Sequence, residues 1–394
     1  MDPVGTALKT GEYLGIAGAA PWASGYVVLA VLLSSVELIM GFSLLLGLRM
    51  KFFTHLTLFF ISFFTILTFY VALFDPVTDC GCFGEALHLS NWETFFKNIL
   101  LLALVIVLFF QKQKFTPVLP ERWEWIVTLS FTAFFVLFSI YSYRHLPQVD
   151  LMEYRAGSDL KELSGLYGNN ASGMAETVLI YEKDGVEHEF TIENLPDSSY
   201  TFVDSRTIGA EDLASRAGFA VSDSSGYVTD SIVSIKGAFF LVTIPFVDFL
   251  SAKSTRVITD FCDSVRSASV PFFVVTGSAE QTVDKWVDEH GFPYDVHYGD
   301  YKMIFTLNRS FGGATYVNDG IIISKWSRAD LPNGEINEIL DEDPEIVAAN
   351  EVIKQNLFAE FVFILLLVAA AVMRFFFRLF YKHNKNENRE EQES

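Results

Sequence analysis

Asp79-Cys80-Gly81-Cys82-Phe83-Gly84 stands in a short polar loop between two apolar stretches, 52–73 and 95–110. A hydrocarbon core takes about 20 mostly apolar residues per helix, and both flanks answer to that description. Working outward, the windows 25–46, 125–143 and 357–379 do so as well. Five predicted spans make this a membrane protein, in keeping with 394 residues that are 51% hydrophobic and include 39 Phe. Trp22, Trp92, Trp123 and Trp125 mark window edges, where indole rings settle at bilayer interfaces.

Lys and Arg in short loops set the orientation. Arg49 and Lys51 follow the first window, and Lys112, Lys114 and Arg122 follow the third. Arg374, Arg378, Lys382, Lys385 and Arg389 lie at or beyond the end of the last. Those segments are assigned to the cytoplasm. Between Leu73 and Phe96 there is neither Lys nor Arg, so the cysteine loop faces out, as does the stretch 144–356. Five spans that end inside must begin outside, yet neither a signal peptide nor a helix precedes 1–23. Either a polar N-terminus is translocated, or the sequence starts after a first helix. The net charge of -20 sits largely in the outward stretch and argues against nucleic-acid binding, which needs a basic surface.

Within that stretch, 178–192 reads as two strands joined at Asp184-Gly185, a pair suited to the positive φ angles of a type I′ turn. Segments 170–173 and 222–226 read as loops. His188 lies between Glu187 and Glu189, whose side chains on a strand point to the opposite face, so a solvated face is expected there rather than a metal site. From Gly237 the texture changes. Residues 238–244 form one apolar run, as in a strand covered on both faces. Leu250, Val257, Ile258, Phe261 and Val265 make a helical stripe over 250–268. A second strand (271–276), a second helix (279–290) and a hairpin over 314–326 follow.

This order over 236–332 resembles the thioredoxin-like fold. The likeness implies a Cys-x-x-Cys after the first strand and a cis-proline before the hairpin. The first place reads Phe246-Val247-Asp248-Phe249-Leu250 and the second Gly312-Gly313, so both are missing. Cys262, on the apolar stripe, is expected to be a buried structural thiol. An acidic helical linker (333–356), a closing transmembrane helix (357–381) and a polar tail (382–394) complete the chain.

Four segments carry a further resemblance: Asp2-Pro3-Val4-Gly5, Gly11-Glu12-Tyr13-Leu14, Glu37-Leu38-Ile39-Met40-Gly41 and Cys80-Gly81-Cys82-Phe83-Gly84. They resemble the DoxX-type bacterial membrane proteins and their MauE-like relatives, the latter linked to disulfide handling. The likeness covers residues 2–143, and a subgroup of that family follows the bundle with an outward thioredoxin-like domain. It implies a bacterial inner-membrane protein, multi-pass, with its large domain in the periplasm. The family has one more helix ahead of Asp-Pro-x-Gly, which favours the late start. The fold class expected is a multi-span α-helical bundle (1–144) joined to an α/β thioredoxin-like domain (236–332), with an added β-containing section at 145–235.

Three readings of Cys80 and Cys82 stay open: thiol-disulfide exchange, a static disulfide, and ligation of a soft metal. A bond between residues i and i+2 closes a very small ring, and strained geometry makes a disulfide more reducible. Gly81 lets the backbone turn there. His88 offers a third metal ligand but no fourth is evident, so no metal is assigned. Glu37 lies near the middle of the first span, where a carboxylate is costly and turns to the bundle interior. It is either a proton-handling group or a neutral hydrogen-bonding one, and it is expected to be protonated at neutral pH unless a cation such as Arg49 or His55 pairs with it. Tyr13, Tyr70 and Asp75 are further candidates for lining the bundle. No cofactor motif is identified, and the sequence does not name the electron acceptor, for which a quinone stays open. The function expected is thiol-disulfide exchange in the periplasm, with the thioredoxin-like domain docking an envelope or periplasmic protein client. The alternative is a membrane-anchored scaffold or assembly factor whose cysteines are structural.

Overall fold

A computed structural model describes residues 2–16, 25–75, 89–113, 121–164, 176–183, 186–191, 201–208 and 218–393. The chain divides into two compact units, Met1–Leu151 with Ile353–Ser394, and Met152–Val352.

The first unit contains α1 (Pro3–Ile16), α2 (Gly25–Leu45), α3 (Met50–Phe74), α4 (Asn91–Gln111) and α5 (Glu121–Arg144). Four of them, α2 to α5, are long and apolar enough to cross a membrane. Polar side chains hydrogen-bond across membrane helices for about 0.6–2 kcal/mol each, and two such pairs tie α3 to α4. Asn98 Nδ2 donates to Thr68 Oγ1 at 3.1 Å, and Asn91 Nδ2 to Asp75 Oδ1 at 2.5 Å. Ser90 and Glu93 start α4 with a capping box, in which each residue's side chain accepts from the other's backbone N–H. On another side of the bundle, the Phe42 ring of α2 packs against Phe131 and Phe135 of α5.

The helix α1 lies ahead of the first predicted span. Its signals are local: Asp2 Oδ1 accepts from Gly5 N at 2.9 Å as an N-cap, and Pro3 takes the first helical position. Val4, Ala7 and Leu8 are buried at spacings of three and one, a single helical face. At 14 residues the helix is too short to register as a span.

The second unit holds two sheets. β1 (Glu176–Lys183), β2 (Val186–Thr191) and β3 (Thr201–Ile208) form an antiparallel sheet ordered β2-β1-β3. Pairing runs from Val178 with Thr191 to Lys183 with Val186, so the expected hairpin is present, although Asp184 and Gly185 lie outside the described residues.

The larger sheet is built from β4 (Val221–Asp223), β5 (Gly226–Tyr227), β6 (Ala238–Ile244), β7 (Phe272–Thr276), β8 (Val296–Gly299), β9 (Gly313–Asn318) and β10 (Ile321–Ser327). Its order is β10-β9-β6-β7-β8-β4-β5. β6, β7 and β8 run parallel, and β9 lies antiparallel to β6. With α6 (Thr229–Val233), α7 (Ala252–Ser267), α8 (Glu280–His290) and α9 (Tyr301–Leu307), the chain runs β6-α7-β7-α8-β8-α9-β9-β10. The order β7-β6-β9-β10, two parallel central strands closed by an antiparallel hairpin, is thioredoxin-like. The segment 222–226, expected as a loop, instead contributes to β4 and β5, which pair with each other and with β8. Strand β8 and helix α9 are additions to the expected order of elements.

The apolar run in β6 is explained by cover on both faces. Phe240, Val242 and Ile244 face a core with Ile258, Phe261, Val265 and Trp286, from α7 and α8. Phe239 and Leu241 face another with Phe219, Ile232, Ile304 and Leu307. Asp319 and Gly320 take positive φ angles of 51° and 87° between β9 and β10, the backbone of a tight hairpin turn. After α10 (Ile336–Asp341), residues Pro344–Glu393 are helical (α11), and the fifth predicted window falls within them.

Candidate functional site

Cys80, Cys82 and His88 lie outside the described residues. What the structure gives is the frame of their loop. Asp75 closes α3 in a left-handed conformation (φ 47°) and accepts the Asn91 hydrogen bond, so the two helix ends flanking the cysteines are tied together. Among the described residues no cluster of three or more His, Cys, Asp or Glu could hold a metal ion.

Glu37 lines a cavity of about 490 Å³ bounded by α1, α2, α3 and α4. Lys9, Tyr13, Thr57, Lys97 and Asn98 supply further polar groups, and Leu33, Phe60, Phe64 and Leu101 are among its apolar walls. Lys9 of α1 and Lys97 of α4 bring ammonium groups to the same cavity. Arg49 and His55, the cations named above as possible partners of Glu37, are engaged elsewhere. Arg49 Nη1 lies 4.0 Å from Glu124 Oε2, with its guanidinium 4.5 Å above the Trp125 ring. His55 is engaged by the Lys51 carbonyl and by Lys112 Nζ at 3.1 Å. Tyr13 lines the cavity as expected, whereas Tyr70 packs on Phe74 and Asp75 serves the helix end. Lys97 was visible in the sequence as a charge inside an apolar window, which is itself a signal of function. It sits six residues into α4, about 9 Å along the axis from Asn91 at 1.5 Å per residue. Through Lys97 and Asn98 the cavity reaches the half of the bundle nearer the cysteine loop, while Leu44 and Thr57 line it toward the α2–α3 turn.

In the second unit, the place of the missing Cys-x-x-Cys is filled by packing. Val247 N donates to Ser278 Oγ at 2.9 Å, the Phe246 ring lies against Tyr301 and Phe305, and Phe249 lies against Phe311. Where the cis-proline would stand, Asn308 Nδ2 donates to the carbonyls of Ala314 and Trp326, both at 3.1 Å. Gly313 is required there, because a Cβ would come 2.5 Å from Trp326 O and 2.7 Å from Ser310 Oγ. The loop is held by a buried amide and a glycine, and it presents no thiol.

Cys262 is fully buried in the α7 face of the core, as expected. Burial pushes its thiol pKa far above the usual range, and neighbouring Asp263 pushes the same way. Since the thiolate is the nucleophile, the native thiol is inert at neutral and mildly basic pH. A maleimide added to the folded protein at about pH 8 is expected to leave Cys262 unmodified, with labelling only after denaturation. Modification in the native state, read by mass spectrometry, would contradict this placement.

Residues 14–111 match the family model described as methylamine utilisation protein MauE, a segment that contains Glu37, Cys80, Cys82 and Lys97. Residues 175–209, the small sheet, match a domain of unknown function (DUF8463). No curated protein matches the chain. Similar solved structures include Xanthomonas campestris bacterioferritin comigratory protein, at 14% identity over 35% of this chain and 95% of that one, with a TM-score of 0.24. A mutant of Xanthomonas campestris peroxiredoxin Q is similar at 15% identity over 32% of this chain and 90% of that one, also with a TM-score of 0.24. At that score the likeness carries no weight, and the thioredoxin-like assignment rests on strand order and direction.

Proposed function

We propose that this membrane protein, with its MauE-matching segment at 14–111, exchanges thiols and disulfides through Cys80 and Cys82 at the outer face of a bacterial inner membrane. The observation that carries the reading is a division of parts. The thioredoxin-like unit keeps the fold but holds Val247, Asn308 and Gly313 where chemistry would be, while the cysteine pair belongs to the loop between α3 and α4. The unit that recognises a client is then separate from the sulfurs that react with it.

Exchange proceeds in two displacements. A client thiolate attacks one sulfur of the Cys80–Cys82 bond, which breaks, and a mixed disulfide forms while the other sulfur leaves as thiolate. The client's second thiolate attacks that mixed disulfide and releases an oxidised client with a Cys80/Cys82 dithiol. Two electrons pass from client to pair. The outward orientation rests on the basic residues Arg49, Lys51, Lys112, Lys114 and Arg122 gathering at the opposite ends of the spans.

Differential alkylation tests this. In cells stripped of their outer envelope, a membrane-impermeant maleimide is expected to label Cys80 and Cys82 after mild reductant and not before. If neither sulfur is labelled under either condition, the assigned orientation fails. If both are labelled without reductant and oxidant changes nothing, the exchange reading gives way to the scaffold alternative.

A further inference from the structure

We propose that the ends of α3 and α4 opposite the cysteine loop hold the phosphodiester of an anionic phospholipid, gripped between Lys51 and Lys112. The inference is independent of the exchange reading. Three basic side chains meet there. Lys51 and His55 are one turn apart on α3, and Lys112 is the C-cap of α4. Lys112 Nζ stands 3.1 Å from His55 Nε2 and 3.5 Å from the centre of the Phe109 ring, which itself meets the His55 ring edge-on.

Hydrogen-bond roles fix the charge of the cluster. His55 Nδ1 contacts the Lys51 carbonyl, which only accepts, so Nδ1 carries the hydrogen and Nε2 is left to accept from Lys112. His55 is therefore neutral, and the positive charge belongs to the two lysines. That bond uses one of the three N–H donors of Lys112, and the ring face steadies the ammonium. Among the described residues no acid lies within ion-pair distance of either lysine, whereas Lys9 has Glu12 and Arg49 has Glu124. Two cations are held at the edge of the bundle without being neutralised. Basic residues at span ends also set orientation, but that needs only their number, not a lysine seated on a histidine and a ring.

The apolar surface beside them selects the ligand. From the level of His55, α3 exposes Phe59, Phe63 and Ile66, and α4 exposes Leu104, Val107 and Phe110. Phe59 and Phe110, nearest the lysines in sequence, are 73% and 78% exposed. A negative head with two hydrocarbon chains matches both the charge and the apolar tracks that lead away from it. Inorganic phosphate would leave those tracks uncovered. A zwitterionic lipid brings its own cation to the phosphate and gains less from the lysines.

Native mass spectrometry of the purified full-length protein in detergent, supplied with phosphatidylglycerol or phosphatidylcholine, tests the site. Retention of phosphatidylglycerol is expected to exceed that of phosphatidylcholine by about 25-fold, about five-fold for each lysine beside the phosphate. Lys51→Gln or Lys112→Gln alone should reduce the preference about five-fold and the pair together should abolish it. Should the double variant fail to fold, the single variants carry the same reading. Lys51→Arg with Lys112→Arg is expected to retain the preference, because the charge is kept. Lys382→Gln with Lys385→Gln removes the same charge from the tail beyond the last predicted span and is expected to change nothing. Equal retention of the two lipids overturns the site, as does a loss in the tail variant equal to that in the Lys51/Lys112 variant. Full displacement of phosphatidylglycerol by excess inorganic phosphate would show a phosphate site rather than a lipid site and would overturn it too.

Discussion

Replacing either Cys80 or Cys82 with serine is expected to lower oxidation of a client dithiol by about 10⁴-fold, the scale seen when one member of a reacting unit is removed. The loss is this large because neither sulfur can complete a cycle alone. One must accept the client and the other must leave, and serine does neither at neutral pH. The two variants should also differ from each other. In one, the remaining thiol is the sulfur that clients attack, so a mixed disulfide forms and persists for want of a resolving partner. In the other, the remaining thiol is less accessible and little is trapped. Non-reducing gels of cells producing each variant report both the trapped species and its client. Turnover within two-fold of wild type in both single variants would end the exchange reading. The scaffold alternative makes the opposite forecast, since the double serine variant would keep function while deletion of 236–332 abolished it.

Much of the fold was legible because it is written locally. The apolar windows of α2 to α5 need only a hydropathy count, and the β9–β10 turn announces itself in Asn318-Asp319-Gly320. The stripe on α7 follows from spacing, with Ile258, Phe261 and Val265 fully buried. What escaped was set by pairing across distance. Val221 and Ser222 are strand residues because Gly299 and Tyr298 lie beside them, nearly eighty positions away. Three residues of that kind carry no periodicity to read.

The cavity shows the same limit. Glu37 is legible as a carboxylate in a span, but nearness in sequence points to Arg49 and His55 rather than to the lysines that share its cavity. Arg49 is twelve residues on, about 18 Å along a helix. Because α3 returns antiparallel from the turn at Gly47, the residues it brings level with Glu37 are Phe60 and Ile61 rather than His55. Lys97 arrives from a third helix, and only the packing of α4 on α3 reveals it.

The second large effect is on stability. Phe240→Ala should destabilise the thioredoxin-like unit by about 4 kcal/mol, within the 3–5 kcal/mol range for a buried Phe truncated to Ala. Phe240 has no exposed surface, and its ring stacks on Tyr316 at 5.2 Å and meets Phe261 edge-on at 5.7 Å. These partners come from β9 and α7, so the cavity left behind cannot close without moving a strand or a helix. Against a typical stability of about 5–15 kcal/mol, that loss is a large fraction of the whole. Guanidinium unfolding of the full chain, followed by the fluorescence of Trp286 and Trp326 in the same core, should show an earlier midpoint. Tyr227→Ala, at a side chain 81% exposed, should shift it by less than about 0.5 kcal/mol. The same variant probes the division of labour. If the thioredoxin-like unit docks clients and the bundle performs the exchange, then at a denaturant concentration between the two midpoints Phe240→Ala should lose client capture while Cys80 and Cys82 still cycle with a small-molecule dithiol. If small-molecule cycling falls along with client capture, the sulfurs depend on the second unit for their chemistry, and the proposed separation of recognition from reaction is wrong.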